Sequence, residues 1–291
     1  MKVVGSLLMF CSLARPNRIG AFCSRNIPRH NNRQQQAQHG KLSMAASAAP
    51  IELEHVSGDT LGGSGITLVP KDGAYTNVVV WLHGLGDTAA GWASTMPQLK
   101  LPHTKFILPT ADTRPITLNG GYEMPGWSDI FGLQEDSPED AVGFNASADR
   151  VRAILEAEQA KGKESTRMVV GGFSQGGAVA LHFCLRATEP LAGCVACSTW
   201  IPLNKDYPTA LGSAAKDIPV AQFHGTRDEV VQFTWGQHRR VVHSRIRHTL
   251  MKEKLGMTTT FEAITGMGHS SSNAEMESVA DFLKRVLPDG Q

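Results

Sequence analysis

Residues Val169 to Gly177 read Val-Val-Gly-Gly-Phe-Ser-Gln-Gly-Gly, and no other stretch limits the fold so tightly. Met168 to Val170 is an apolar run with strand character, and Gly177 to Arg186 has helical spacing. Between them Gly172-Phe173-Ser174-Gln175-Gly176 is a G-x-S-x-G pentapeptide. A serine on a tight strand-to-helix turn is held out where a substrate can reach it. Backbone crowds both sides of such a turn, so only residues with almost no side chain fit two positions before and two after. The helix that follows aims its free N–H groups at the place where an oxyanion would form.

A strand–turn–helix unit needs a sheet around it, and the rest of the chain supplies one. Val78 to Leu82, Lys105 to Leu108, Leu191 to Ile201, Pro219 to Phe223 and Thr258 to Ile264 read as strands. Ala148 to Gln159 and Ala274 to Val286 carry helical patterns between or after them. Strands that are continuous apolar runs separated by helices predict an α/β fold, a mostly parallel sheet with helices on both faces. The hydrophobic content of 41% is enough for one domain spanning residues 50–291.

The stretch Thr110 to Asp140 departs from this alternation. It has little regular pattern, yet it holds Ile116, Leu118, Tyr122, Met124, Trp127, Ile130, Phe131 and Leu133 among polar residues. Gly120-Gly121 lets it turn sharply. Long irregular loops in compact domains are often binding loops. The reading taken here is an apolar wall beside the serine, with Trp127, Met124 and Leu118 as substrate-binding residues. The alternative is a surface excursion pinned to the core by its large side chains.

Ser174 needs a base and an acid. In an open parallel sheet both belong just beyond the carboxyl ends of later strands, in the chain order serine, acid, histidine. Gly225-Thr226-Arg227-Asp228-Glu229 follows one such strand, and Thr265-Gly266-Met267-Gly268-His269-Ser270-Ser271 follows the next. The candidate catalytic residues are therefore Ser174, Asp228 and His269. His269 takes the serine proton, and Asp228 holds the imidazole in the right tautomer. Glu229 is the rival acid; the shorter Asp228 is preferred because it is easier to hold rigid. His83 and His224 close strands beside glycines and are read as turn braces, and His182 as packed or solvated. His83-Gly84-Leu85-Gly86-Asp87 follows the first clear strand, which makes the N–H groups of Leu85 and Gln175 the candidate oxyanion hole.

Other chemistries are poorly supported. Cys194 and Cys197 form a C-x-x-C inside an apolar strand, which places them on opposite faces, and no second pair accompanies them. They read as buried thiols. No His-x-x-x-His or carboxylate cluster asks for a metal, and no cofactor is expected. Seven of the 28 basic residues fall within residues 1–50, which contain no Asp or Glu, so the remainder is mildly acidic. Such a body has no electrostatic reason to bind nucleic acid.

Residues 1–49 are expected to lie outside the fold, as a targeting or disordered leader. Val3 to Ala14 is apolar but too short to span a bilayer and fits a signal h-region. Residues 15–49 are Arg-, Asn- and Gln-rich, like an organellar transit peptide. A start at Met44 would instead leave a cytoplasmic enzyme. The cytoplasm is taken as the location, with a plastid or mitochondrion as the alternative.

Several segments together resemble one known family. These are Trp81-Leu82-His83-Gly84-Leu85-Gly86-Asp87, Arg114 to Asn119, Met124-Pro125-Gly126-Trp127, Gly171 to Gly177 and Gly268-His269-Ser270-Ser271. They look like the acyl-protein thioesterase / lysophospholipase family of small α/β-hydrolases, the type 2 carboxylesterases. The likeness runs from about residue 70 to Pro288. It implies hydrolysis of S-palmitoyl thioesters on proteins and of lysophospholipid esters, with general short-chain carboxylesterase activity as the alternative. It supports Ser174, Asp228 and His269 as the triad and Leu85 and Gln175 as oxyanion donors. Expected partners are S-acylated proteins or lysophospholipids, with no nucleic acid, no stable membrane span and at most a weak homodimer. Thr226 and Glu229 depart from the family's usual Asp and Pro, and Gly120-Gly121-Tyr122-Glu123 replaces a Met- and Asn-rich stretch. These departures bear on acyl-chain preference more than on chemistry.

Overall fold

The computed structural model describes residues 53–59, 63–132, 137–232 and 250–287. The leader expected over residues 1–49 lies outside the described residues.

Ten strands are described: β1 (Leu53–Asp59), β2 (Ser64–Pro70), β3 (Asn77–Leu82), β4 (Thr104–Pro109), β5 (Thr113–Ile116), β6 (Tyr122–Pro125), β7 (Met168–Phe173), β8 (Gly193–Cys197), β9 (Val220–Gly225) and β10 (Thr259–Ile264). Eight of them form one sheet in the order β1-β2-β4-β3-β7-β8-β9-β10. From β4 to β10 every neighbouring pair is parallel. The first two strands run antiparallel to each other, and β2 runs antiparallel to β4.

Side chains alternate across this sheet and build two core layers. Val78, Val80, Leu82, Val170, Cys194 and Ala196 face one layer. That layer is covered by α2 (Ala141–Gln159) and α3 (Gln175–Leu185), through Phe144, Val151, Ile154, Leu155 and Leu181. Val79, Trp81, Val169, Val195 and Cys197 face the other. It is covered by α1 (Ala89–Ala93) and α4 (Asn273–Val286), through Trp92, Met276, Val279 and Leu283. Central strands covered on both faces are buried along their whole length, as β3, β4, β8 and β9 are, and most of their residues are apolar. The two cysteines of the C-x-x-C thus sit in opposite layers, both free and buried.

Some boundaries differ from expectation. The strand read as Leu191 to Ile201 ends at Cys197, because Ser198 turns the backbone to φ 46°. α2 starts earlier than its apolar pattern, because the Asp140 carboxylate caps it by accepting from Gly143 N at 2.9 Å. The stretch Thr110 to Asp140 is not irregular: it contains the ribbon β5–β6. The turn of that ribbon uses Gly120 (φ 67°) and Gly121 (φ 82°), the left-handed positions that glycine serves.

Candidate active site

The loops that matter leave the carboxyl ends of β3, β7, β9 and β10, four neighbours in the parallel part of the sheet apart from β8. Ser174 sits between β7 and α3 with φ 54° and ψ −120°, a strained conformation for a residue with a side chain. Its surroundings enforce that strain. Ser174 N donates to Cys197 O at 2.9 Å, and the Ser174 carbonyl accepts from Ala178 N and from the Thr199 hydroxyl at 2.6 Å. A Cβ on Gly172 would lie 2.6 Å from the Leu82 carbonyl oxygen, and one on Gly177 would lie 2.9 Å from Thr199 Cβ. The elbow is therefore pressed against the end of β3 and the turn after β8, and only glycine fits.

His269 reaches Ser174 from the loop after β10. Its Nε2 lies 2.9 Å from Ser174 Oγ, and its Nδ1 lies 2.8 Å from Asp228 Oδ2. The Phe173 ring supports the imidazole, with centroids 4.9 Å apart. The histidine loop and the aspartate loop are laced together. Arg227 N donates to Met267 O at 2.9 Å, Thr226 N to Ile264 O at 3.0 Å, and Gly266 N to Thr226 Oγ1 at 2.9 Å. Thr226, one of the family departures, spends its hydroxyl on this seam. Glu229 is exposed, while Asp228 is buried.

Four donors converge on Asp228. Oδ1 accepts from Val230 N (3.0 Å) and Val231 N (2.9 Å). Oδ2 faces His269 Nδ1 and also His224 Nε2, at 3.4 Å. Burial pushes the carboxyl up, but the His224 and His269 hydrogen bonds outweigh it and hold it at about 2. His224 Nε2 also lies 2.7 Å from Val231 O, so this histidine braces the turn that carries the acid.

The other strand-end histidine braces the first loop. His83 Nε2 accepts from Ala111 N at 2.9 Å, which leaves the proton on Nδ1 to donate to Gly84 O at 2.7 Å. Burial lowers its pKa and keeps it neutral. Gly84 lies against the serine: a Cβ there would be 3.4 Å from Ser174 Cβ. This brings Leu85 beside the elbow, its side chain packed over Gly126. Gln175 opens α3, so its N–H has no carbonyl a turn earlier in the helix to bond. Its side-chain amide accepts from Trp127 N at 2.9 Å and donates to Ser128 O at 2.8 Å.

Trp127 is a core residue. Its ring is only 2% exposed and belongs to the core layer under α2 and α3. Its indole N–H donates to the His83 carbonyl at 2.8 Å. That bond pins the loop to the end of β3. Met124 is half-buried beside the first loop, where a Cβ on Gly86 would be 3.4 Å from its sulfur, and Gly86 N donates to Pro125 O. Leu118 is 36% exposed on the turn of the ribbon, near exposed Tyr122 and Phe131. Thr199 and Ser128 escaped the sequence reading, since single hydroxyls in loops carry no pattern.

Among the described residues no group of three His, Cys, Asp or Glu is arranged to hold a metal ion. No helix among them is long and apolar enough to cross a membrane.

Residues 65–287 match the family described as Phospholipase/Carboxylesterase. The chain is 39% identical over 250 residues to acyl-protein thioesterase 1 of Cryptococcus neoformans, covering 82% of this chain and 99% of that one. It is 37% identical over 237 residues to acyl-protein thioesterase 1 of Mycosarcoma maydis, covering 77% and 97%. Among solved structures it resembles acyl-protein thioesterase 2 of Zea mays, with a TM-score of 0.66, 29% identity, and 76% and 98% of the two chains covered. It resembles SOBER1 of Arabidopsis thaliana equally, with a TM-score of 0.66, 29% identity, and 73% and 99% covered.

Proposed function

The chain belongs to the phospholipase/carboxylesterase family of serine-esterase α/β-hydrolases, and from that premise we propose that it cleaves S-acyl thioesters on proteins, palmitoyl-cysteine above all, together with lysophospholipid esters, through an acyl-enzyme on Ser174. The observation that carries this is the His269 ring, which lies within hydrogen-bond reach of both Ser174 Oγ and Asp228 Oδ2.

Each residue then has a step. Ser174 Oγ attacks the acyl carbonyl while His269 Nε2 takes its proton. The Leu85 and Gln175 N–H groups stabilise the oxyanion, and each such donor is worth about 10²–10³ in rate. Collapse of the tetrahedral intermediate breaks the C–S or C–O bond, and imidazolium gives its proton to the leaving group. Water, deprotonated by His269, attacks the acyl-serine; the fatty acid leaves and Ser174 is restored. Asp228 stays ionised throughout and stabilises the imidazolium. A thiolate leaves with less protonation than an alkoxide, which suits thioesters to this machinery. Met124 and Leu118 line the acyl side of the site.

A fluorophosphonate probe tests the nucleophile: it labels the protein and fails to label Ser174→Ala. Labelling that survives the substitution overturns the assignment. Rates on a palmitoyl thioester, a lysophospholipid and a short-chain nitrophenyl ester separate the substrates, and activity on the last alone would make the protein a short-chain carboxylesterase. We propose the cytoplasm as its location, and imaging of a fusion to the full chain tests that against a plastid or mitochondrion.

A further inference from the structure

A second buried carboxyl lies behind Asp228, and the triad chemistry leaves it unused. Glu275 is fully buried at the third position of α4. That helix begins four residues after His269, so the histidine loop is also the approach to its N-terminus. Ser272-x-x-Glu275 is a capping-box pattern. Glu275 N donates to Ser272 Oγ at 3.2 Å, and the Glu275 side chain folds back toward the Ser272 N–H. The carboxyl also faces the Ser271 hydroxyl and, across from it, the Cys197 thiol at the end of β8. Neither carboxyl oxygen reaches full hydrogen-bond geometry with any of these groups.

We propose that Glu275 is a positioning residue for His269: it packs the start of α4, and with it the histidine-bearing loop, against the end of β8 beside Asp228. The proposal rests on the reading of His269 as the base.

A buried carboxylate without full hydrogen bonds is costly as an anion. Burial raises the Glu275 pKa, the Asp228 charge adds to that against the Ser271 and Ser272 donors, and the group is pushed up to about 7. Two titratable groups face it from neighbouring elements. Cys197 comes from β8, and burial pushes its thiol up, so it is neutral. Asp228 comes from the turn after β9, held ionised by His224 and His269. Below neutrality Glu275 can sit quietly between a thiol and two serines. Above it, a second negative charge stands against Asp228 in a dry site. The loop from His269 to Ser272 is the element able to relieve that repulsion, and its movement takes the imidazole off Ser174.

Glu275→Gln separates positioning from plain structure, because glutamine keeps the size and a donor and cannot ionise. kcat/KM on a nitrophenyl ester, and melting temperature, are measured from pH 6 to 8.5 for the full-length chain and the variant. The two proteins are expected to agree within about twofold at pH 6, and the variant to be faster by roughly fivefold at pH 8.5. Glu275→Ala, which unties the loop, is expected to lower kcat more than it changes KM at every pH. Superimposable pH profiles for Glu275→Gln overturn the proposal, and so does a change in melting temperature alone. If the alanine variant fails to fold, the glutamine variant decides. Fluorophosphonate labelling that survives Ser174→Ala would sink the triad reading instead. Labelling lost in that variant with a flat Glu275→Gln comparison would sink only this proposal.

Discussion

The Leu82 carbonyl oxygen and the α-carbon of Gly176 lie so close that a Cβ on Gly176 would stand 2.2 Å from that oxygen. The same Cβ would be 2.5 Å from His83 O. Both obstacles are backbone at the end of β3, so neither can swing away. Gly176→Ala must therefore push the elbow and the oxyanion loop apart, at a cost of about 3 kcal/mol. Gly120→Ala is the control: its Cβ would meet nothing, and only the left-handed φ of 67° opposes it, for about 1 kcal/mol. Chemical denaturation of the two variants should show that order, and kcat should fall only for Gly176→Ala.

The same contact explains what was legible in the sequence. Gly172 and Gly176 announce a crowded turn because no other residue fits, and buried parallel strands announce themselves as apolar runs. Those two signals carried the parallel sheet, the elbow and the order of Ser174, Asp228 and His269. Strands exposed on one side carry weaker signals. β1 and β2 at the sheet edge escaped notice, their segment interrupted by Gly58, Gly62, Gly63 and Gly65. The β5–β6 ribbon hides behind Pro115 and alternating polar residues. That the Trp127 ring is buried was not legible either, because composition does not say which way a ring points. The capping box at Ser272 and Glu275 was readable, but not that its acid would lie beside Asp228, which is 47 positions earlier in the chain and meets it only through the sheet order.

Asp228→Asn should leave the fold nearly unchanged and remove most of the activity. An amide can present its N–H to His269 Nδ1, which places the imidazole proton on Nε2 and leaves Ser174 without an acceptor. The expected loss in kcat is about 10⁴-fold with KM little changed. Stability carries a second signature. The folded carboxyl sits at about 2, below its unfolded value, so its contribution is present above pH ~4 and is lost as pH falls toward 2. Acid titrations of the two proteins should converge over that window; a constant gap would contradict the role of the ionised carboxylate.

Trp127→Phe tests whether the indole braces or lines. Phenylalanine fills most of the volume but leaves the His83 carbonyl without its donor at 2.8 Å. A loss of about 1–2 kcal/mol in stability follows. Relative rates across acyl chains of increasing length should be unchanged, since the ring is buried. Met124→Ala and Leu118→Ala should do the reverse, altering the chain-length profile with little effect on stability. A chain-length shift in Trp127→Phe would restore the tryptophan to the acyl wall.

His182 sets a further acid limit on stability, well away from the chemistry. Its ring is fully buried on α3, against the Phe144 ring. Arg186 Nη1 lies 3.1 Å from Nδ1, and a guanidinium can only donate, so Nδ1 is the acceptor. Nε2 therefore carries the proton and donates to Asn145 Oδ1 at 2.9 Å. Burial first, and then the Arg186 charge, lower its pKa to about 4. A histidine whose pKa is depressed in the fold contributes stability above its unfolded value near 6.5, and that contribution is lost as pH falls through about 4. The protein should lose stability progressively between those values. His182→Gln keeps a donor toward Asn145 and an acceptor toward Arg186 and does not titrate, so its melting temperature should fall less over the same range. Parallel curves for the two proteins from pH 7 to 4 would show that His182 is not the group being protonated.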